Sequence, residues 1–324
     1  PSPIKPWTWA AAPVTRYIAL DRASVAPEPA LPGAVRATVL LVARFAPALG
    51  GTELWRTTLG IAGVATMWIG AAVAYPQTDL KKLLAYSTVS ALGTMVLLLG
   101  IDTVLACKAA MLSFLVHALY KGALFMVAGT VDHEVGSRDV RLLGGLGRAM
   151  PFTAVAAGLA GLSMCGLPPL VGFIGKELLY EAKLAAPQAG WLVAAAGVAA
   201  NLLMVAVGLM VAIRPFGGRP GGSEHPPHEG PWTLWFPPLV LAVAGVVLGL
   251  FPGLVDRTLI APAVSAVRAE ETVVKLKLWH GVNPVLLLSL LTVAAGIGAF
   301  RMRKVARRAA GRIGPVLAAL GPAR

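Results

Sequence analysis

Six stretches of this 324-residue chain run without a single charged side chain: Thr57–Thr78, Leu83–Ile101, Ala149–Gly175, Leu184–Ile213, Gly230–Val255 and Gly281–Phe300. The hydrocarbon core of a bilayer takes about 20 apolar residues of α-helix to cross. There the backbone must satisfy its own hydrogen bonds, and a helix does so within one segment. The runs therefore predict membrane-spanning helices. Two further segments read as spans that tolerate charge: residues 33–50, with Arg36 and Arg44, and residues 104–131, with Lys108, His117 and Lys121. The expected fold class is all-α, a polytopic transmembrane bundle of about eight helices.

Charged residues make up only 13% of the chain and hydrophobic ones 57%, with mean hydropathy +0.74. A soluble domain carries about 25% charged residues, so a soluble enzyme, a disordered chain and a disulfide scaffold are all excluded as readings. The charges present are unbalanced, 28 Lys and Arg against 15 Asp and Glu, a net +13. If consecutive spans alternate in direction and the C-terminal tail is inside, 17 of the 28 fall on the inner side and six on the outer. The six are Arg56, Lys183, Arg257, Arg268, Lys275 and Lys277. This asymmetry is what cytoplasmic loops of membrane proteins carry, so it needs no nucleic acid as partner.

Outside the spans the sequence is plainer. Residues 1–32 lack the apolar core of a signal peptide. The tail from Arg301 alternates basic and small apolar residues and reads as a short interfacial helix on anionic headgroups. The Gly- and Pro-rich loop 215–231 contains Glu224, His225, His228 and Glu229 without the fixed spacing of a zinc motif, and reads as linker. Cys107 and Cys165 read as small apolar thiols. No metal or cofactor is implied, and no nucleophile set or Gly-rich phosphate loop points to an enzyme.

The informative residues are the charges inside spans, each of which costs at least about 2.5 kcal/mol on insertion scales. His117 and Lys121, four apart, lie one turn apart on one helix face, where titratable groups can exchange protons through water. Lys108 falls on the opposite face and reads as snorkelling from the span entrance. Within the span that opens at Ala149, Gly166-Leu167-Pro168-Pro169 breaks the helix, because proline removes an amide donor and clashes with the preceding turn. Such breaks build ion sites in transporters, and Lys176 and Glu177 follow directly. Asp79, Lys81 and Lys82 open another span, with Thr78 or Asp79 as N-cap. The polar stripe Tyr86, Ser87, Thr88 and Ser90 behind them marks a candidate hydrated path.

These residues carry a resemblance. The run from Gln77 through Thr78-Asp79-Leu80-Lys81-Lys82 to Ser90, then His117-Ala118-Leu119-Tyr120-Lys121, then Gly166-Leu167-Pro168-Pro169 with Gly172-Phe173 and Lys176-Glu177, resembles the antiporter-like subunits shared by respiratory complex I and multisubunit cation/proton antiporters. Val131-Asp132-His133-Glu134 and Leu278-Trp279-His280-Gly281-Val282-Asn283-Pro284 resemble the large A subunit of Mrp-type Na+/H+ antiporters in particular. The resemblance covers residues 33–300, preceded by a divergent segment 1–32 and followed by a basic cytoplasmic tail 301–324. It implies a membrane subunit that moves protons through Lys81, His117, Lys121, Lys176 and Glu177 in exchange for sodium. It also implies small membrane subunits as partners and a bacterial inner membrane as location.

The chain departs from the family at Arg36, which stands where a lysine is usual and does not deprotonate, and at Ala30 and Ser113, in places often held by histidine. The family's earlier helices and long C-terminal extension are not matched. Two alternatives stay open: a proton-translocating subunit of a complex I type quinone oxidoreductase, and a truncated, non-transporting copy.

Overall fold

The computed structural model describes residues 31–187, 190–219, 226–279 and 281–319, with side chains omitted for 31–38 and 304–319. The segment 1–30, including Ala30, lies outside the described residues, as do Glu224, His225 and the last five residues of the tail; of Arg36 only the backbone is described.

Among the described residues, ten helices of two turns or more follow in order: α1 Leu31–Leu49, α2 Glu53–Ala74, α3 Leu80–Ile101, α4 Val104–Val135, α5 Pro151–Met164, α6 Val171–Leu184, α7 Gly190–Ala212, α8 Trp232–Leu250, α9 Ala261–Arg268 and α10 Pro284–Ala319. Helices α2, α3, α4, α7, α8 and the Pro284–Arg303 part of α10 are each long and apolar enough to cross a membrane. About eight spans are expected from the sequence; these six are found among the described residues, and the other two expected spans correspond to α1 and the broken pair α5–α6. Large apolar side chains such as Leu54, Ile61, Trp191 and Leu291 cover the outer surface, as a lipid-facing bundle requires.

Helix starts follow local chemistry. Thr52, Asp79 and Thr103 each stand just before a helix and accept backbone amides of its first turn, the N-cap pattern. Asp79 takes both Lys81 N at 2.8 Å and Lys82 N at 3.0 Å. Glu229 does the same for α5 from a distance, accepting Phe152 N at 2.8 Å. The segment read as linker thus supplies the cap of a helix that lacks one of its own.

The connections gather at two ends of the bundle. At one end Leu80 N donates to Arg138 O, Val140 N to Thr78 O, Gly145 N to Gly217 O, and Arg303 Nε to Tyr75 O. This basic end joins the start of α3, with Lys81 and Lys82, to the connections that hold Arg138, Arg141, Arg148, Arg214 and Arg219. At the other end Asp102 pairs with Arg268 at 2.7 Å, and Lys108 Nζ donates to Lys275 O at 3.0 Å.

Two large apolar clusters fill the interior, one toward each end. On α4 the changeover falls between Val116 and Ala123, and on α3 mainly between Leu84 and Leu92. Ser87, Ser90, His117 and Lys121 sit in that gap, so the polar layer lies between two dry cores.

Candidate functional site

Lys121 is 1% exposed. Its Nζ donates to the Leu84 carbonyl at 3.0 Å and to Ser87 Oγ. Ser87 also donates to Leu84 O. The polar stripe on α3 therefore meets the charged face of α4, as two amphiphilic stripes must when both sit in a membrane core. His117, one turn earlier, is 7% exposed, and its Nδ1 shares a 3.0 Å hydrogen bond with Tyr120 OH.

The helix break supplies the other cation. After Met164 the chain leaves the helix through Gly166 at φ +66° and a cis Pro168-Pro169 bond, then re-enters at Val171. Breaking the helix frees carbonyls at the end of α5, where the helix dipole favours a cation. Lys176 is 8% exposed, and its Nζ donates to Cys165 O at 3.0 Å. Gly166 makes room for it: a Cβ there would lie 2.7 Å from Lys176 Cε. Close packing by α8 holds the break, since a Cβ on Gly249 would fall 2.0 Å from Pro169 O.

Between these two lysines lies a cavity of about 90 Å³. Ser87, Ser90, Thr94, Tyr120, Asn201 and Lys176 are among its lining residues. That is ample for water, with several hydroxyls to bind it. Lys121 thus reaches the cavity through Ser87, His117 reaches it through Tyr120, and Lys176 opens onto it directly. A second, larger cavity of about 240 Å³ lies toward the end opposite the basic loops and is lined by Glu177, Glu181, Lys108, Lys275 and Lys277. Glu177 is buried there, and its Oε1 has no hydrogen-bond partner among the described residues.

Lys81 stands apart from this group. It pairs with Asp132 at 2.8 Å at the basic end, half-buried, and Arg138 joins Asp132 (3.7 Å) to Asp79 (3.2 Å). Sequence reasoning gave no role to Tyr120, which it quoted only as part of the His117–Lys121 motif, nor to Thr94, Ser163 or Asn201, single polar residues in otherwise apolar runs. It also set Lys183 in an outer loop, because an uncharged run opens at Leu184. The structure corrects this. Helix α6 restarts only at Val171 and runs to Leu184, so Lys183 falls in its last turn, 1% exposed.

The family described as NADH:quinone oxidoreductase/Mrp antiporter, TM matches residues 24–203, more than half the chain. This chain belongs to that family. It is 39% identical over 272 residues to a probable K(+)/H(+) antiporter A/B subunit of Rhizobium meliloti, a match covering 82% of this chain and 27% of the relative. It is 36% identical over 302 residues to the A subunit of a Na(+)/H(+) antiporter of Alkalihalophilus pseudofirmus, covering 83% and 37%. Among solved structures it is similar to a chain of the Mrp complex from Dietzia sp. DQ12-45-1b, with TM-score 0.73 and 33% identity, over 89% of this chain and 34% of that one. The chain spans only 27–37% of the length of these relatives. Family membership and the helical bundle make it a multi-pass integral membrane protein.

Proposed function

We propose that this chain is a membrane subunit of a multisubunit monovalent cation/proton antiporter, of the large Mrp-type kind, moving protons through buried lysine and histidine in exchange for sodium. Residues 33–300 act as its antiporter-like domain, after a divergent segment 1–32. The basic tail 301–324 lies in the cytoplasm of a bacterial cell whose inner membrane holds the complex, and other small membrane subunits complete the assembly.

The observation that carries this reading is the cavity between Lys121 and Lys176, which several hydroxyls line and which lies between two apolar clusters. An ammonium is costly to hold in a membrane core, and two of them beside one hydratable space can pass a proton by way of water. In this reading Lys81 and its carboxylate partners exchange protons with water at the basic end. His117, Lys121 and Lys176 carry them through the middle, and Glu177 exchanges them with the cavity at the far end. No step requires a metal or a cofactor.

A second cation calls for equal testing, because one relative's name carries K(+) and another's Na(+). The family description also includes quinone oxidoreductases, and copurifying respiratory subunits would favour redox-linked pumping. The test is proton flux in sealed vesicles bearing the assembled complex, driven by a sodium or a potassium gradient. Lys121→Ala and Lys176→Ala are expected to lose cation-driven flux while assembling normally. Unchanged flux in both variants would overturn the relay, and no flux in the wild-type complex would favour a non-transporting copy.

A further inference from the structure

Among the described residues, the proton relay leaves one buried lysine unused. Only Leu184 follows Lys183 in α6, so an outward reach of its flexible stem would carry the ammonium toward water at the membrane surface, the usual course for a lysine near a helix end. Its side chain runs the other way. Nζ lies 3.7 Å from the sulfur of Met67, a residue well inside α2. A Cβ on Gly197 of α7 would fall 2.5 Å from Nζ, so the ammonium rests directly on that glycine. Among the described residues Lys183 forms no ion pair, and Met67 Sδ is the only polar contact of its side chain.

Helical register joins Lys183 to the cavity. Lys176 and Lys183 are two turns apart on one face of α6, with Tyr180 between them. Helix α7 answers that face in step: Gly197 lies under Lys183, and Asn201, one turn on, donates to Tyr180 OH at 3.1 Å. Asn201 lines the same cavity as Lys176, and Tyr180 OH shares a further 2.8 Å bond with Thr292 Oγ1. On the α2 side, the Met67 carbonyl accepts the hydroxyl of Ser90, another lining residue. A role in packing alone would be served better by an apolar side chain of the same length, since a buried charge replaced by a packed hydrophobe is commonly neutral or stabilising.

We propose that Lys183 is a further proton-carrying residue of the transport reaction, taking its proton from Lys176 by way of the cavity and the Asn201–Tyr180 pair. This rests on the relay proposed above. In the step an Nζ–H bond of the Lys176 ammonium breaks and the proton passes to the cavity. The Lys183 stem turns from Met67 Sδ toward Tyr180 OH, whose O–H proton passes to the Lys183 amine while the phenolic oxygen is reprotonated from cavity water, so one lysine becomes neutral as the other becomes charged. Tyr180 OH can take part because a hydroxyl both donates and accepts.

The test compares Lys183→Met, Lys183→Arg and Lys183→His in the assembled complex, each normalised to the amount of complex in the vesicle. Methionine fills the same space without a charge, and arginine keeps the charge but does not release it. Both are expected to lower cation-driven proton flux about a hundredfold, the low side of what a positioned proton-transfer group contributes. Histidine is expected to restore part of the flux with a displaced pH profile, which a structural role would not produce. Wild-type flux and pH profile in Lys183→Met, with Lys176→Ala inactive, would overturn this proposal and leave the relay standing. Full flux in Lys176→Ala would instead sink the relay itself. Should Lys183→Met fail to assemble, Gly197→Ala, which displaces the ammonium without removing it, takes its place; an unchanged pH profile there is equally adverse.

Discussion

Two ammonium groups in the same core are held by different means. Lys121 takes a carbonyl and a hydroxyl from a neighbouring helix, whereas Lys176 takes a carbonyl freed by the break in its own span. Ser87→Ala leaves Lys121 with the Leu84 carbonyl alone. A hydrogen bond to a charged group contributes about 1.5–3 kcal/mol, so thermal unfolding of the detergent-solubilised complex should register a loss of that order. An unchanged midpoint would mean that Lys121 finds another acceptor. The charged residues of this site were legible in the sequence because a cation inside an apolar run is rare enough to stand out. Their partners were not. Asn201 and Tyr120 are ordinary residues until tertiary packing brings α7 and α4 to the same cavity, and Leu84 contributes only backbone.

At the scale of elements, the break between α5 and α6 positions everything else. The Gly-Leu-Pro-Pro sequence announces an interruption, since proline cannot continue the ladder. What the sequence could not convey was where the helix resumes. Restarting at Val171 sets the phase of α6, and that phase aims Lys176 at the cavity, Glu177 at the opposite opening and Lys183 into the interior. Helix α8 braces the break by backbone contact at Gly249. Gly249→Ala would push a Cβ against Pro169 O, and overpacking of this kind costs about 1–3 kcal/mol. A lowered unfolding temperature together with reduced flux is the expected result. Wild-type behaviour would show that the break does not depend on its neighbour.

For the whole molecule, the +13 charge acquires a spatial meaning. Backbone hydrogen bonds tie the start of α3, with Lys81, and the connections holding Arg138 and Arg214 into one basic end, while Asp102, Arg268 and Lys275 mark the other. Alternation of the spans was readable from hydropathy and charge alone, because both are properties of segments rather than of contacts. With the basic end in the cytoplasm, a cysteine replacing Arg141 should be labelled by a membrane-impermeant thiol reagent only in inside-out vesicles, and one replacing Lys275 only in intact cells. The reverse pattern would invert the orientation. The central claim is that protons cross the middle of the bundle through the hydrated space between Lys121 and Lys176. Ala91 lines that space and makes no side-chain hydrogen bond, so Ala91→Leu fills it while leaving both lysines and their acceptors in place. Cation-driven proton flux through the assembled Ala91→Leu complex should fall at least about tenfold if this is the path, and flux equal to that of the wild type would contradict it.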